Sequence, residues 1–287
     1  MDSWKKQLKR VYEGITTDRT HLLIDGLSEG FHDEYEEAIE YFDRVSYLTV
    51  GNDDVKKDAY YHKGVALSML GREDEAIATL KELSEMDEND SSAWYNLGCM
   101  YMGKEEYKKA VQYFDKSIKL NPQESINWES KAEALFELEQ FDEALKCVNK
   151  ALKLDPKDIE GILTKCDILN ESNKSEEAIQ LLEGSKYDDD YISEIEYGKS
   201  VTYYNLGKIE KALECVDKSI QDDSGNDQLW YDKACYLSRL DRKDDAIDAL
   251  IVATSIEPEN LMEMRDDEDF ENIRKTERFK KLLSQSV

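Results

Sequence analysis

The chain has 287 residues, 40% hydrophobic and 36% charged, which is enough apolar material for a packed core beneath a highly charged surface. Its 65 acidic residues outweigh 38 basic ones, and the net charge of −27 repels nucleic acid and anionic membranes while attracting basic partners. Five cysteines with no C-x-x-C pair argue against a disulfide framework or a zinc site.

In chain order, residues 1–18 come first. Trp4, Leu8 and Val11 stand at helical spacing there and predict an N-terminal capping helix. The opening lacks the apolar run of a secretory signal, and no stretch reaches the roughly 18 apolar residues of a membrane span. The expected location is therefore cytoplasmic.

From there an internal period takes over. Ala76, Ala110, Ala144, Ala178, Ala212 and Ala246 recur every 34 residues, and Ala38 precedes them. Pro122, Pro156 and Pro258 each stand 12 residues after an alanine of this series, and Trp94, Trp128 and Trp230 each stand 16 before one. Three residue types in one register define units 19–52, 57–90, 91–124, 125–158, 159–192, 193–226 and 227–260, with four extra residues after the first. Within a unit, small residues let two helices approach closely, and the proline ends the second helix. One such hairpin cannot bury its apolar face alone, so neighbours must stack. Residues 261–287, with Asp269-Phe270-Glu271-Asn272-Ile273-Arg274 and Phe279-Lys280-Lys281-Leu282-Leu283, predict C-terminal capping helices, with Thr276 as an N-cap.

Unit 91–124 carries Trp94, Leu97, Gly98, Tyr101, Ala110, Phe114 and Pro122. In this it resembles the tetratricopeptide repeat family, and the resemblance extends over about residues 19–260. It implies an all-α fold: a right-handed superhelical solenoid of about seven helix–turn–helix repeats with terminal caps. Where the family usually has leucine at position 7, five units have Lys63, Lys131, Lys165, Lys199 and Lys233.

The resemblance also places ligand contacts at positions 2, 5, 6, 9, 12 and 13 of each unit, on the concave face of the first helices. These are the expected peptide-binding residues: Tyr61, Tyr95, Asn96, Glu129, Glu133, Asp167, Tyr197, Tyr204 and Tyr231, with Glu137 and Glu171 in the same acidic middle. The family's clamp for a C-terminal carboxylate is absent. Asn96 would be its centre, but Tyr61, Val65, Ile126 and Ser130 occupy the places its other residues need. An acidic centre flanked by tyrosines suits a segment carrying lysine or arginine beside apolar anchors.

No catalytic motif stands in the chain, neither a glycine-rich phosphate loop nor G-x-S-x-G. No cofactor and no metal site are expected: His21, His32 and His62 lack ligand spacing and are expected at the surface. The cysteines are expected in the core. The reading is a non-catalytic protein-interaction adaptor or scaffold that holds a peptide or helical segment, with no nucleic acid or membrane partner. The alternative is a structural protein whose repeats assemble with copies of themselves into homo-oligomers.

Overall fold

The computed structural model describes residues 32–48, 53–185, 187, 191–258, 262 and 264–284. The predicted capping helix at 1–18 and His21 lie outside them. The fold is all-α, with no strand among the described residues. In order, the helices are α1 (His32–Leu48), α2 (Asp53–Met69), α3 (Glu73–Met86), α4 (Ser91–Gly103), α5 (Tyr107–Leu120), α6 (Ser125–Glu137) and α7 (Phe141–Leu154). They continue as α8 (Ile159–Glu171), α9 (Ser175–Gly184), α10 (Ile192–Asn205), α11 (Ile209–Asp222), α12 (Asp227–Arg239), α13 (Lys243–Ile256) and, after a 3-10 turn (Glu268–Phe270), α14 (Glu277–Leu283). The chain divides into two compact units, residues 1–134 and 135–287, with the division inside α6.

Within each unit the helices pack as sequential hairpins: α2 on α3 and α4 on α5 in the first, α10 on α11 and α12 on α13 in the second. The alanine series explains the close crossings. Ala76, Ala110, Ala144, Ala178, Ala212 and Ala246 are all fully buried. At the α4–α5 crossing the fit is tightest, because a Cβ on Gly98 would meet the Phe114 ring at 2.4 Å. A side chain at that position requires the buried ring to shift.

Three local devices repeat with the period. Each indole of the tryptophan series reaches back six residues to a backbone carbonyl: Trp94 to Glu88 (3.1 Å), Trp128 to Pro122 (3.1 Å) and Trp230 to Ser224 (3.0 Å). The indole thereby pins the turn that enters its own unit. A serine on the second helix then donates to the first residue of its own repeat, Ser117 to Ser91 O and Ser219 to Ser193 O, both at 2.8 Å. The third device is the turn inside each hairpin, whose residue 15 is left-handed: Gly71, Glu105, Glu139, Asn173, Gly207 and Asp241 have φ between 56° and 69°.

The second unit ends in a packed segment. Met264, Phe270, Ile273 and Phe279 are fully buried against α12 and α13, and Arg278 reaches Asp244 (2.8 Å) and Asp248 (2.5 Å). The Thr276 hydroxyl accepts from Phe279 N–H and caps α14.

One surface expectation is corrected. His62 is buried, and its ring stacks on Phe42 at 5.6 Å and meets Tyr61 edge-on, because α1 and α2 form an aromatic slot around it. Of the five cysteines, Cys147, Cys166, Cys215 and Cys235 are buried, and Cys99 is half-buried.

Candidate functional site

In the first unit, the expected site residues lie on the first helices α2, α4 and α6. Tyr61 is half-buried, and its hydroxyl lies within hydrogen-bonding reach of Asn96 on the next first helix. Asn96 also donates to Ser92 O in its own helix, at 2.8 Å. Tyr95 stands 3.5 Å from Ser130 Oγ on α6, and its ring leans on Phe114. Position 5 of one repeat thus meets position 6 of the next. The tyrosines tie adjacent first helices together through their hydroxyls and leave part of each ring at the surface. Glu133 is half-buried, whereas Glu129 is 3% exposed and holds its carboxylate inside the protein. Burial, with Glu133 nearby, pushes the Cys99 thiol up to about 11, so it stays protonated at neutral pH.

The second unit repeats the pairing with a charge added. Tyr197 on α10 lies beside Asp232 on α12, and burial followed by that carboxylate raises the phenol well above its usual range. Asp232 also accepts from Gln228 Nε2 at 3.0 Å. Burial, with Asp267 and Asp269 adding repulsion, still lifts Asp232 to about 6. Asp167 on α8 is also pushed up to about 6, first by the surrounding protein and second by Glu171. Its side chain is open to solvent, which tempers that shift, so the half-buried Asp232 is the firmer case.

Tyr204 and Tyr231 are engaged by the chain itself. Tyr231 donates to Asp267 Oδ2 (2.8 Å), and Tyr204 donates to Asp269 Oδ2 (2.6 Å), both in the C-terminal segment. Arg239 pairs with Asp269, and Ser238 donates to Asp269 O at 2.6 Å. The cap therefore sits on the far end of this row of first-helix residues.

Asp232 and Arg239 are site members that the sequence reading left out. Both occupy contact positions, 6 and 13 of unit 227–260, so the signal was present. Asp267 and Asp269 lie beyond the repeats, where no position rule reaches. Among the described residues, no group of three or more His, Cys, Asp or Glu is arranged to hold a metal, and no helix is long and apolar enough to cross a membrane.

The tetratricopeptide repeat family pattern matches residues 57–90, 91–124 and 128–158. Over 131 residues the chain is 26% identical to anaphase-promoting complex subunit 3 of Schizosaccharomyces pombe, covering 45% of this chain and 19% of that protein. The chain thus spans less than a quarter of that relative's length. A tetratricopeptide repeat protein from Parabacteroides merdae aligns with a TM-score of 0.67 at 14% identity, covering 93% of this chain and 99% of that one. Yeast Tom70 aligns at 0.61 and 18% identity, covering 89% of this chain and 51% of that one. A chain of the APC/C hetero-tetramer Cut9–Hcn1 aligns at 0.60 and 13% identity, with coverages of 90% and 47%. At such identities the structural likeness speaks for the fold.

Proposed function

We propose, for a chain whose residues 57–158 are tetratricopeptide repeats, that it is a non-catalytic adaptor holding a lysine- or arginine-bearing segment of a partner protein along its first helices. Tetratricopeptide repeat proteins typically mediate protein–protein interactions. The seven-repeat frame over 19–260, with caps at both ends, belongs to this reading, as does a cytoplasmic setting.

The observation that carries it is a surplus of carboxylates beside tyrosines in the second unit. Among the described residues, the ion pairs involving its first helices are Lys199–Glu196, Lys218–Glu196, Lys233–Asp217 and Arg239–Asp269. Asp167, Glu171 and Asp232 stand outside them, and Asp232 is held near pH 6 by burial and like charge. A cation brought beside that carboxylate relieves both costs, so the site is tuned to gain from an ammonium or guanidinium group. Tyr197 offers a ring beside the same charge.

Fluorescence anisotropy of a labelled lysine-rich peptide tests this. We expect the combined variant Asp167→Asn, Glu171→Gln, Asp232→Asn to bind at least about tenfold more weakly than the wild type, a loss of about 1.4 kcal/mol. Equal affinity for both proteins sinks the assignment. Mass measured across a concentration series separates this reading from self-assembly, which predicts concentration-dependent oligomers.

A further inference from the structure

A second surface, in the first unit, has the opposite character. Trp94 and Tyr101 lie seven residues apart on one face of α4, and Tyr113 of α5 stacks between them. The Tyr101 and Tyr113 rings are 5.2 Å apart and 4° from parallel, and the Trp94 and Tyr113 rings are 6.0 Å apart at 16°. Three lysines lie over this stack. Lys116 Nζ is 3.9 Å from the Trp94 centroid and 5.1 Å from that of Tyr113. Lys109 is 4.9 Å and Lys81 5.7 Å from the Tyr101 centroid.

All three lysines are exposed, Tyr101 is buried, and Trp94 and Tyr113 are half-buried. Lys109 also pairs with Glu106, whereas Lys81 and Lys116 take part in no ion pair among the described residues. The aromatic faces hold the ammonium groups together but do not neutralise them, because a ring quadrupole carries no net charge. Unit 91–124 is also the only one of the seven 34-residue units in which basic residues outnumber acidic ones, five lysines against four carboxylates.

We propose that this lysine-covered aromatic stack is an interaction surface for a carboxylate-rich segment of a partner protein. Closely spaced Asp and Glu side chains match three ammonium groups gathered on a rigid platform, and the half-buried Trp94 and Tyr113 rings add apolar contact. The net charge of −27 repels such a segment everywhere else, so recognition here is local. This surface belongs to the first unit, and it prefers the charge opposite to that preferred by the carboxylate row of the second.

The test is anisotropy of the full chain with three labelled probes: a Glu/Asp-rich peptide, its Gln/Asn counterpart of the same length, and a single-stranded oligonucleotide as the other polyanion. The Glu/Asp-rich peptide is expected to bind and the neutral one not. Raising salt from 50 to 300 mM is expected to weaken the complex at least about tenfold. The variant Lys81→Gln, Lys109→Gln, Lys116→Gln, checked for a native helical circular dichroism spectrum, is expected to bind at least about tenfold more weakly. The variant Asp167→Asn, Asp232→Asn is expected to bind the acidic peptide unchanged or more tightly, which keeps this result separate from the groove assignment. Absence of acidic-peptide binding in the wild type, preference for the oligonucleotide, or binding that survives the triple lysine substitution each overturns the proposal. The wild-type peptide series decides it even where the triple variant fails to fold.

Discussion

At the scale of single residues, the hairpin turn shows how a position imposes a conformation on whatever residue occupies it. Position 15 is left-handed in six units, yet only two have glycine there, while Glu105 and Glu139 hold φ at 57°. A non-glycine residue in that region carries a penalty of about 1 kcal/mol. Glu139→Gly is therefore expected to raise stability by up to about 0.5 kcal/mol in urea unfolding, once the entropy of the added glycine is subtracted; a loss of about 1 kcal/mol contradicts the strain. Asp232 gives a pH prediction with a definite sign. Its folded-state carboxyl is raised to about 6 from 3.8, so its contribution to stability is complete below about pH 4 and is lost as pH rises through 6. Asp232→Asn keeps an acceptor for Tyr197 and removes the charge. The Tm difference between variant and wild type is expected to move in the variant's favour between pH 4.5 and 7.5. A difference that stays constant across that range contradicts the assigned shift.

At the scale of elements, three of the five lysines at position 7 find their reason in the neighbouring repeat. Lys63 pairs with Asp43 (2.5 Å), Lys131 with Asp115 (2.5 Å) and Lys233 with Asp217 (2.7 Å), each acid at position 25 of the repeat before. In unit 91–124, where position 7 is Leu97, the preceding position 25 is Lys81. Lys199 turns instead to Glu196 and Tyr187, and Glu183 at its position 25 accepts from Tyr203. A double-mutant cycle on Lys131 and Asp115 is expected to give a coupling of about 0.3–1 kcal/mol that fades in molar salt. A zero coupling at low salt denies the pair any part in stacking. The repeat frame was legible because alanine, proline and tryptophan are fixed by packing, turn and indole bond, all of which act within one unit. The lysine pairs and the tyrosine links from position 5 to position 6 were less legible because each spans two units, about 16 to 35 residues apart. Glu129 shows the limit of a position rule: it occupies a contact position by number yet lies inside the protein, whereas Asp232 at the next position of its own unit was passed over.

At the scale of the whole molecule, the tail closes the second unit and engages Tyr204 and Tyr231. Phe270 is its anchor, fully buried, edge-on to Tyr231 at 5.5 Å and 6.1 Å from Phe279. Phe270→Ala is expected to destabilise the second unit by about 3–5 kcal/mol and to loosen the Asp267–Tyr231 and Asp269–Tyr204 bonds. Calorimetry is expected to show one transition moved downward, and an unchanged thermogram refutes the anchoring role. On the two proposals above, a chain of net charge −27 uses a carboxylate row in one unit and a lysine-covered stack in the other to grip partner segments of two kinds. The most direct test of the central claim is hydrogen–deuterium exchange of the full chain with and without a saturating lysine-rich peptide. Protection is expected on α8, α10 and α12, around Asp167, Tyr197 and Asp232. Protection confined to α3 and α5, or absent from α8, α10 and α12 at saturation, contradicts the account.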